Sequence, residues 1–276
     1  MWGRWARLDR VWALCLLVSG CGRLAYEEVG GTEPRVDATA GCATGDCDGG
    51  TDACRGAGGG PTTDGLVLHW KLDETSGGVA FDSTANGIDG TPTGHVWHPE
   101  SGVIGGAIEV PAGSAGPDAF SGILDAIDDR MTFAVWFRDM GSPTDNYRNV
   151  ISKIDFVATP KEGWAVMIIG GTTDMHMRLD TSGDQNQTEG SFPDVVDGEW
   201  HHIALTLDAG IFATYLDGVQ TQTAGYNHHD GFGGPGEFIL GTDRDIAALF
   251  DDARYYSRAL SAEEIAAMLP VTGCAD

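Results

Sequence analysis

The sequence predicts an all-β fold, a sandwich or barrel of short antiparallel strands with one short helix near its C-terminal end. Two observations carry this. From Leu66 to Leu269, short β-type runs alternate with clusters of Gly, Asp, Asn and Pro, the pattern of strands punctuated by turns. A helix signal is confined to 261–268, so layers of strands must build the core. Composition permits this: 42% of the 276 residues are hydrophobic and 21% charged, which excludes wholesale disorder.

The elements follow in order. Residues 66–72, Leu-Val-Leu-His-Trp-Lys-Leu, form the first run. In 131–137, Met131, Phe133, Val135 and Phe137 share one face, as the period of 2 requires of a strand. Runs at 148–154, 164–169 and 175–179 come next. Ile203, Leu205 and Leu207 mark one face of the strand that Trp200 opens. Tyr215-Leu216-Asp217-Gly218-Val219 reads as strand, Asp-Gly turn and strand. Runs at 238–240 and 248–256 complete the set. Ser261-Ala262-Glu263-Glu264 is a capping box, followed by the apolar Ile265, Met268 and Leu269 and stopped by Pro270. No internal repeat is present, so one domain is expected.

The segment before it has another purpose. Arg4, Arg7 and Arg10 precede a short apolar stretch at 11–18, too short for the roughly 20 residues of a bilayer-spanning helix. The stretch ends in Val18-Ser19-Gly20-Cys21, which resembles the lipobox of bacterial lipoproteins. Residues 1–20 are therefore expected to be a signal peptide. Cys21 is expected to carry the lipid, and 21–64 to form a Gly- and Asp-rich tether for a domain at 65–276. That makes the protein extracytoplasmic and lipid-anchored, at the outer membrane or cell surface. In such a compartment Cys42, Cys47, Cys54 and Cys274 are expected to form two disulfides. Cys42 and Cys47 are close in sequence and Cys54 and Cys274 bracket the domain, but the other two pairings stay open. A net charge of −25 argues against nucleic acid as a partner.

Four motifs carry a resemblance. Residues 68–77 with 80–87, Trp200-His201-His202-Ile203-Ala204, Tyr215-Leu216-Asp217-Gly218, and 250–261 with Glu264-Ile265 occur in one order. They resemble the laminin-G-like, concanavalin A-like jelly rolls of bacterial surface proteins, with a second histidine, His202, before the hydrophobic position. The resemblance covers 66–270 and implies a two-sheet antiparallel jelly-roll sandwich. Trp70 and Trp200 are expected in the inter-sheet core, and the helix over one end of the sandwich.

For chemistry, a retaining glycosidase needs two carboxyls about 5 Å apart. The E-x-D-x-x-E pattern of the glucanases of this fold is absent, as are H-E-x-x-H and G-x-S-x-G. No enzyme is expected. Adjacent strand residues point to opposite faces, so His201 and His202 are poorly placed to share an ion. Calcium suits the sequence better: Asp82 and Asn86 offer oxygens from a turn-rich loop. The resemblance implies that this loop meets Asp251 near the last strand, giving a ligand set of Asp82, Asn86 and Asp251. The expected function is a calcium-stabilised recognition or adhesion module whose edge loops bind a glycan or surface protein. A glycan hydrolase and a purely structural envelope protein are the rival readings.

Overall fold

Alternation along β5 (Arg130–Asp139) sets the layering. Met131, Phe133, Val135 and Phe137 are buried between two sheets, and the opposite-facing Thr132, Ala134 and Trp136 are buried too. This central strand is therefore covered on both faces. The structure, a computed structural model, describes residues 60–119, 124, 130–142, 148–155, 162–181, 184–226, 237–241 and 246–270.

Before β5 come β1 (Leu66–Trp70), β2 (Val96–His98), β3 (Ala107–Val110) and β4 (Asp118–Ala119). After it come β6 (Arg148–Asp155), β7 (Glu162–Ile168), β8 (Met175–Thr181), β9 (Asp184–Phe192), β10 (Trp200–Asp208), β11 (Ile211–Leu216), β12 (Val219–Gly225), β13 (Phe238–Leu240), β14 (Ala248–Tyr256) and helix α1 (Ala262–Ala266). The larger sheet is ordered β12-β11-β10-β5-β14-β3-β2 and the smaller β4-β13-β6-β7-β8-β9. One edge of β14 is shared. β3 pairs with its first residues and β1 with Ala253 to Tyr256, so the first and last strands are neighbours. These pairings are antiparallel, as expected of a two-sheet antiparallel sandwich with one short C-terminal helix.

Aromatic rings fill the space between the sheets. Trp70 and Trp164 each lie 5.3 Å, centroid to centroid, from Phe238 and Phe133 respectively, and Phe238 lies 5.7 Å from Tyr255. Such spacings are favourable for tilted and edge-on pairs. Trp70 is in the core as expected, with its Nε1–H donating to the Ile88 carbonyl at 2.8 Å. Trp200 is not. Residues 203, 205 and 207 face inward, so parity turns Trp200 outward, where it is half-buried. The second core tryptophan is Trp164 on β7.

The hairpin and the helix form where the sequence puts them. Asp217 and Gly218 both have positive φ, 50° and 77°, as a two-residue turn between twisted strands requires. Ser261 Oγ accepts from Glu264 N–H, and the Glu264 carboxylate accepts from Ser261 N–H, completing the capping box. The position of α1 differs from expectation. Instead of covering one end, Leu260, Ile265 and Met268 pack on Ala134, Ala204, Tyr215 and Tyr256, on the outer face of the larger sheet. The small Ala134 and Ala204 leave the room it needs. Strands β2, β3, β4 and β9 were not anticipated. The first three are two to four residues long, and β9 is polar and pairs with β8 alone.

Arg258 grips both Glu264 oxygens, at 2.6 and 2.9 Å. Ser261→Ala should therefore lower stability by about 1 kcal/mol, read from urea unfolding followed by tryptophan fluorescence. Glu264→Gln, which weakens the cap and the Arg258 pair together, should cost more than Ser261→Ala.

Candidate functional site

The outer face of the larger sheet carries a second, polar layer beside α1. On β10, β5 and β14, His202, Trp136 and Asp251 are direct cross-strand partners. They form the row next to Ala204 and Ala134, which α1 covers. In the following row Arg138 and Trp200 are half-buried partners. The polar row thus lies between the helix and this more open rim.

A bulge shapes its β14 end. Asp251 pairs with Trp136 but Arg254 pairs with Ala134, so Asp252 and Ala253 stand opposite one residue. Such bulges re-aim side chains. Asp252 takes the left-handed conformation, φ 51°, which Asp tolerates. Asp252 then meets His69 of β1, with His69 Nε2 2.6 Å from its Oδ1, and Arg254 Nη2 2.8 Å from its Oδ2. Arg254 Nε also lies 3.3 Å from His69 Nε2. One ring nitrogen cannot donate to Asp252 and accept from Arg254. The shorter contact to an anion assigns the proton to His69 Nε2, which leaves Arg254 Nε without an acceptor.

Further polar atoms in this layer have no protein partner: Asp251 Oδ1, Arg254 Nη1, Trp136 Nε1 and His202 Nδ1 are all buried and unpaired. Trp136 and His202 stack edge to face at 5.1 Å. Asp251 Oδ2 does accept from Val103 and Ile104 N–H, at 2.7 and 2.8 Å. That loop approaches because it has glycine at 102, where a Cβ would stand 2.7 Å from the same oxygen. Burial pushes the Asp251 carboxyl up to about 7; Asp252 and Asp73 push the same way, against the two N–H groups. Burial also pushes His202 down to about 4, so its ring is neutral near pH 7.

The expected calcium ligands are not brought together. Asp82 bridges to Trp70 on one edge of β1, while β14 pairs along the other. A whole strand therefore separates Asp82 from the strand of Asp251. Asp82 is also fully occupied: Oδ1 accepts from His69 and Thr84 N–H, and Oδ2 from Ile88 N–H and the Thr84 hydroxyl. Asn86 Nδ2 donates to the Val67 carbonyl at 2.7 Å. The loop is a self-closed turn against β1, and these residues do not fit a common ion. Among the described residues no group of three or more His, Cys, Asp or Glu is disposed to hold a metal. Cys21, Cys42, Cys47, Cys54 and Cys274 lie outside the described residues.

Other candidate clusters are tied down or differ from the chemistry sought. Trp97 Nε1 and His95 Nε2 both lie 2.9 Å from the Gly77 carbonyl. Asp118 and Glu237 hydrogen-bond to each other; burial, then Asp118, push Glu237 up. A pair in direct contact leaves no room for the sugar that separates glycosidase carboxyls by about 5 Å. The polar row was missed in the sequence because its residues lie far apart in the chain. The available signal was parity: His202 and Trp136 alternate with core residues in strands central enough to be covered.

Two predictions follow from these contacts. Asp251, raised from 3.8, contributes stability that is fully present below about pH 4 and lost as pH rises through about 7. His202, lowered from 6.5, contributes stability present above about pH 6.5 and lost as pH falls through about 4. The two oppose each other across this window. Asp251→Asn should therefore gain on wild type as pH rises from 4 to 7 in urea unfolding; a constant difference would show that Asp251 does not titrate there. Asp82→Asn should cost about 1–3 kcal/mol, equally with added calcium and with chelator. A cost seen only with calcium would make Asp82 a ligand.

Solved structures share the fold. Domain 4 of a GH43 extracellular arabinanase from Geobacillus stearothermophilus, in complex with arabinotriose, superposes with a TM-score of 0.59 at 22% identity, covering 74% of this chain and 97% of that one. The receptor-binding domain of botulinum neurotoxin type G gives 0.56 at 17%, covering 74% of this chain and 50% of its own. The binding domain of Paraclostridial Mosquitocidal Protein 1 gives 0.57 at 14%, covering 73% and 51%. The chain thus spans about half the length of the toxin domains. No curated protein matches it. The fold is the expected jelly roll, and the family pattern fits residues 108–266: the chain belongs to the concanavalin A-like lectin/glucanases superfamily.

Proposed function

We propose that this protein is a non-catalytic recognition module, held at the cell envelope by a lipid on Cys21, that binds a glycan on the outer face of its larger sheet. The observation that carries this is the polar layer around Trp136, His202, Asp251 and Arg254, with its four buried, unpaired polar atoms. Buried polar groups are nearly always hydrogen-bonded, so a cluster without protein partners suits a polar ligand. Trp200, half-buried beside it, adds an aromatic ring at the rim, a feature suited to stacking against a sugar. The arabinanase domain in complex with arabinotriose and the toxins' receptor-binding domains lend support at the level of ligand class. Anchoring rests on Val18-Ser19-Gly20-Cys21 behind a basic, apolar leader.

The test uses the full chain with Cys21→Ser, secreted without an acyl anchor, on an array of neutral and acidic glycans. Binding to a subset is expected, weakened at least tenfold by Trp200→Ala. Binding to none would overturn the glycan reading. Mass spectrometry of the mature wild-type N-terminus should find an acylated Cys21; an unmodified terminus would remove the anchor.

A further inference from the structure

The unpaired atoms define what the ligand must offer. Trp136 Nε1 and Arg254 Nη1 can only donate, and so can Arg254 Nε. Asp251 Oδ1 accepts when ionised, and the neutral His202 ring can do either at Nδ1. A partner for all of them presents acceptors and at least one donor. An ammonium or guanidinium ligand has donors alone and would leave the tryptophan and arginine unpaired. A carboxylate, sulfate or phosphate has acceptors alone and would leave an ionised Asp251 Oδ1 unpaired beside a like charge.

Charge points the same way. The Arg254 guanidinium is already engaged by Asp252. Asp73 and Asp252 stand close enough to Asp251 to act on its carboxyl, and Asp217 close enough to act on His202. Asp217 also accepts from His202 N–H at 2.8 Å. His69 spends its Nε2 proton on Asp252. Arg138 at the rim is the other cation, its Nε–H given to the Gly198 carbonyl at 2.6 Å, and the carboxyls of Asp73, Asp217 and Asp252 outnumber the two arginines. Hydroxyl groups, each both donor and acceptor, meet every requirement.

We infer that the row of Asp251, Trp136 and His202, with Arg254, is a subsite for the hydroxyl groups of a neutral sugar and discriminates against carboxylated or sulfated ones. α1 closes one side of the row, and the half-buried Arg138 and Trp200 border the other. This rests on the glycan-binding reading above and names the ligand class at that face.

Affinity electrophoresis of the Cys21→Ser chain through gels containing arabinan, galactan or xyloglucan, against polygalacturonate and heparin, tests it. Retardation by at least one neutral polysaccharide and by neither acidic one is expected. Trp136→Phe keeps the ring and deletes the Nε1 donor, and should weaken neutral binding about tenfold. Asp251→Asn exchanges an acceptor for a donor; it should weaken neutral binding similarly while raising retardation by the acidic polymers. Matching near-ultraviolet circular dichroism between variants and wild type confirms that they fold. Retardation by acidic polymers alone would overturn this inference and leave the glycan reading standing. Neutral binding untouched by both variants would move the site elsewhere and overturn it equally. Retardation by none of the five, with ordered waters filling the row in a crystal structure, would remove both.

Discussion

All nine residues of β14 are buried, and much of the architecture follows from meeting what such a strand demands. Its backbone must be paired on both edges, because unpaired amides there have no water to turn to. β5 supplies one edge, and β3 with β1 supply the other. Its inward side chains, Phe250, Ala253 and Tyr255, belong to the inter-sheet core. Its outward ones need a second cover, and Leu260, Ile265 and Met268 supply this over Tyr256. Capping box, helix and shared edge all serve this strand.

The same demand explains the polar layer. A strand covered on both faces yet carrying Asp251, Asp252 and Arg254 within four residues must satisfy charges in a poorly solvated place. The bulge resolves part of this by turning Asp252 toward Arg254 and His69. The loop at 102–106 resolves another part with two backbone N–H groups on one Asp251 oxygen. Four of the buried atoms left without a partner lie together where β14, β5 and β10 run side by side, while others, such as Glu74 Oε2 and Trp164 Nε1, lie elsewhere in the domain. Each such group costs on the order of 1–3 kcal/mol when left without a partner, so the concentration marks a place where stability gives way to another requirement.

Much of this was legible in the sequence, for local reasons. Period 2 in 131–137 and 203–207 identified the core faces, Asp217-Gly218 the hairpin, and Ser261 with Glu264 the helix start, because each signal is carried by residues within a few positions. Trp200 was misplaced because its size suggested the core, although counting back from Ile203 turns it outward. Asp82 offers a ligand's chemistry, and the family resemblance sets its loop near Asp251. Its four donors come from the adjacent loop and from β1, and no spacing reveals that. The polar row was illegible because it joins positions 69, 136, 202 and 251–254, which only the strand order brings together.

The shared edge of β14 also constrains how the domain comes into being. Leu66, in the first described strand, pairs with Tyr256 in the last, and β5 waits for β14 along one whole side. Local hairpins such as β11–β12 can close on their own, but the larger sheet stays open until the C-terminal residues arrive. Until then β5 presents a bare, apolar edge, the kind of template that recruits other chains. Long-range closure of this type is slow, because loop entropy is lost before contacts compensate for it. A chain synthesised from its N-terminus can therefore be handed on unfinished, and it commits to its native shape only when whole.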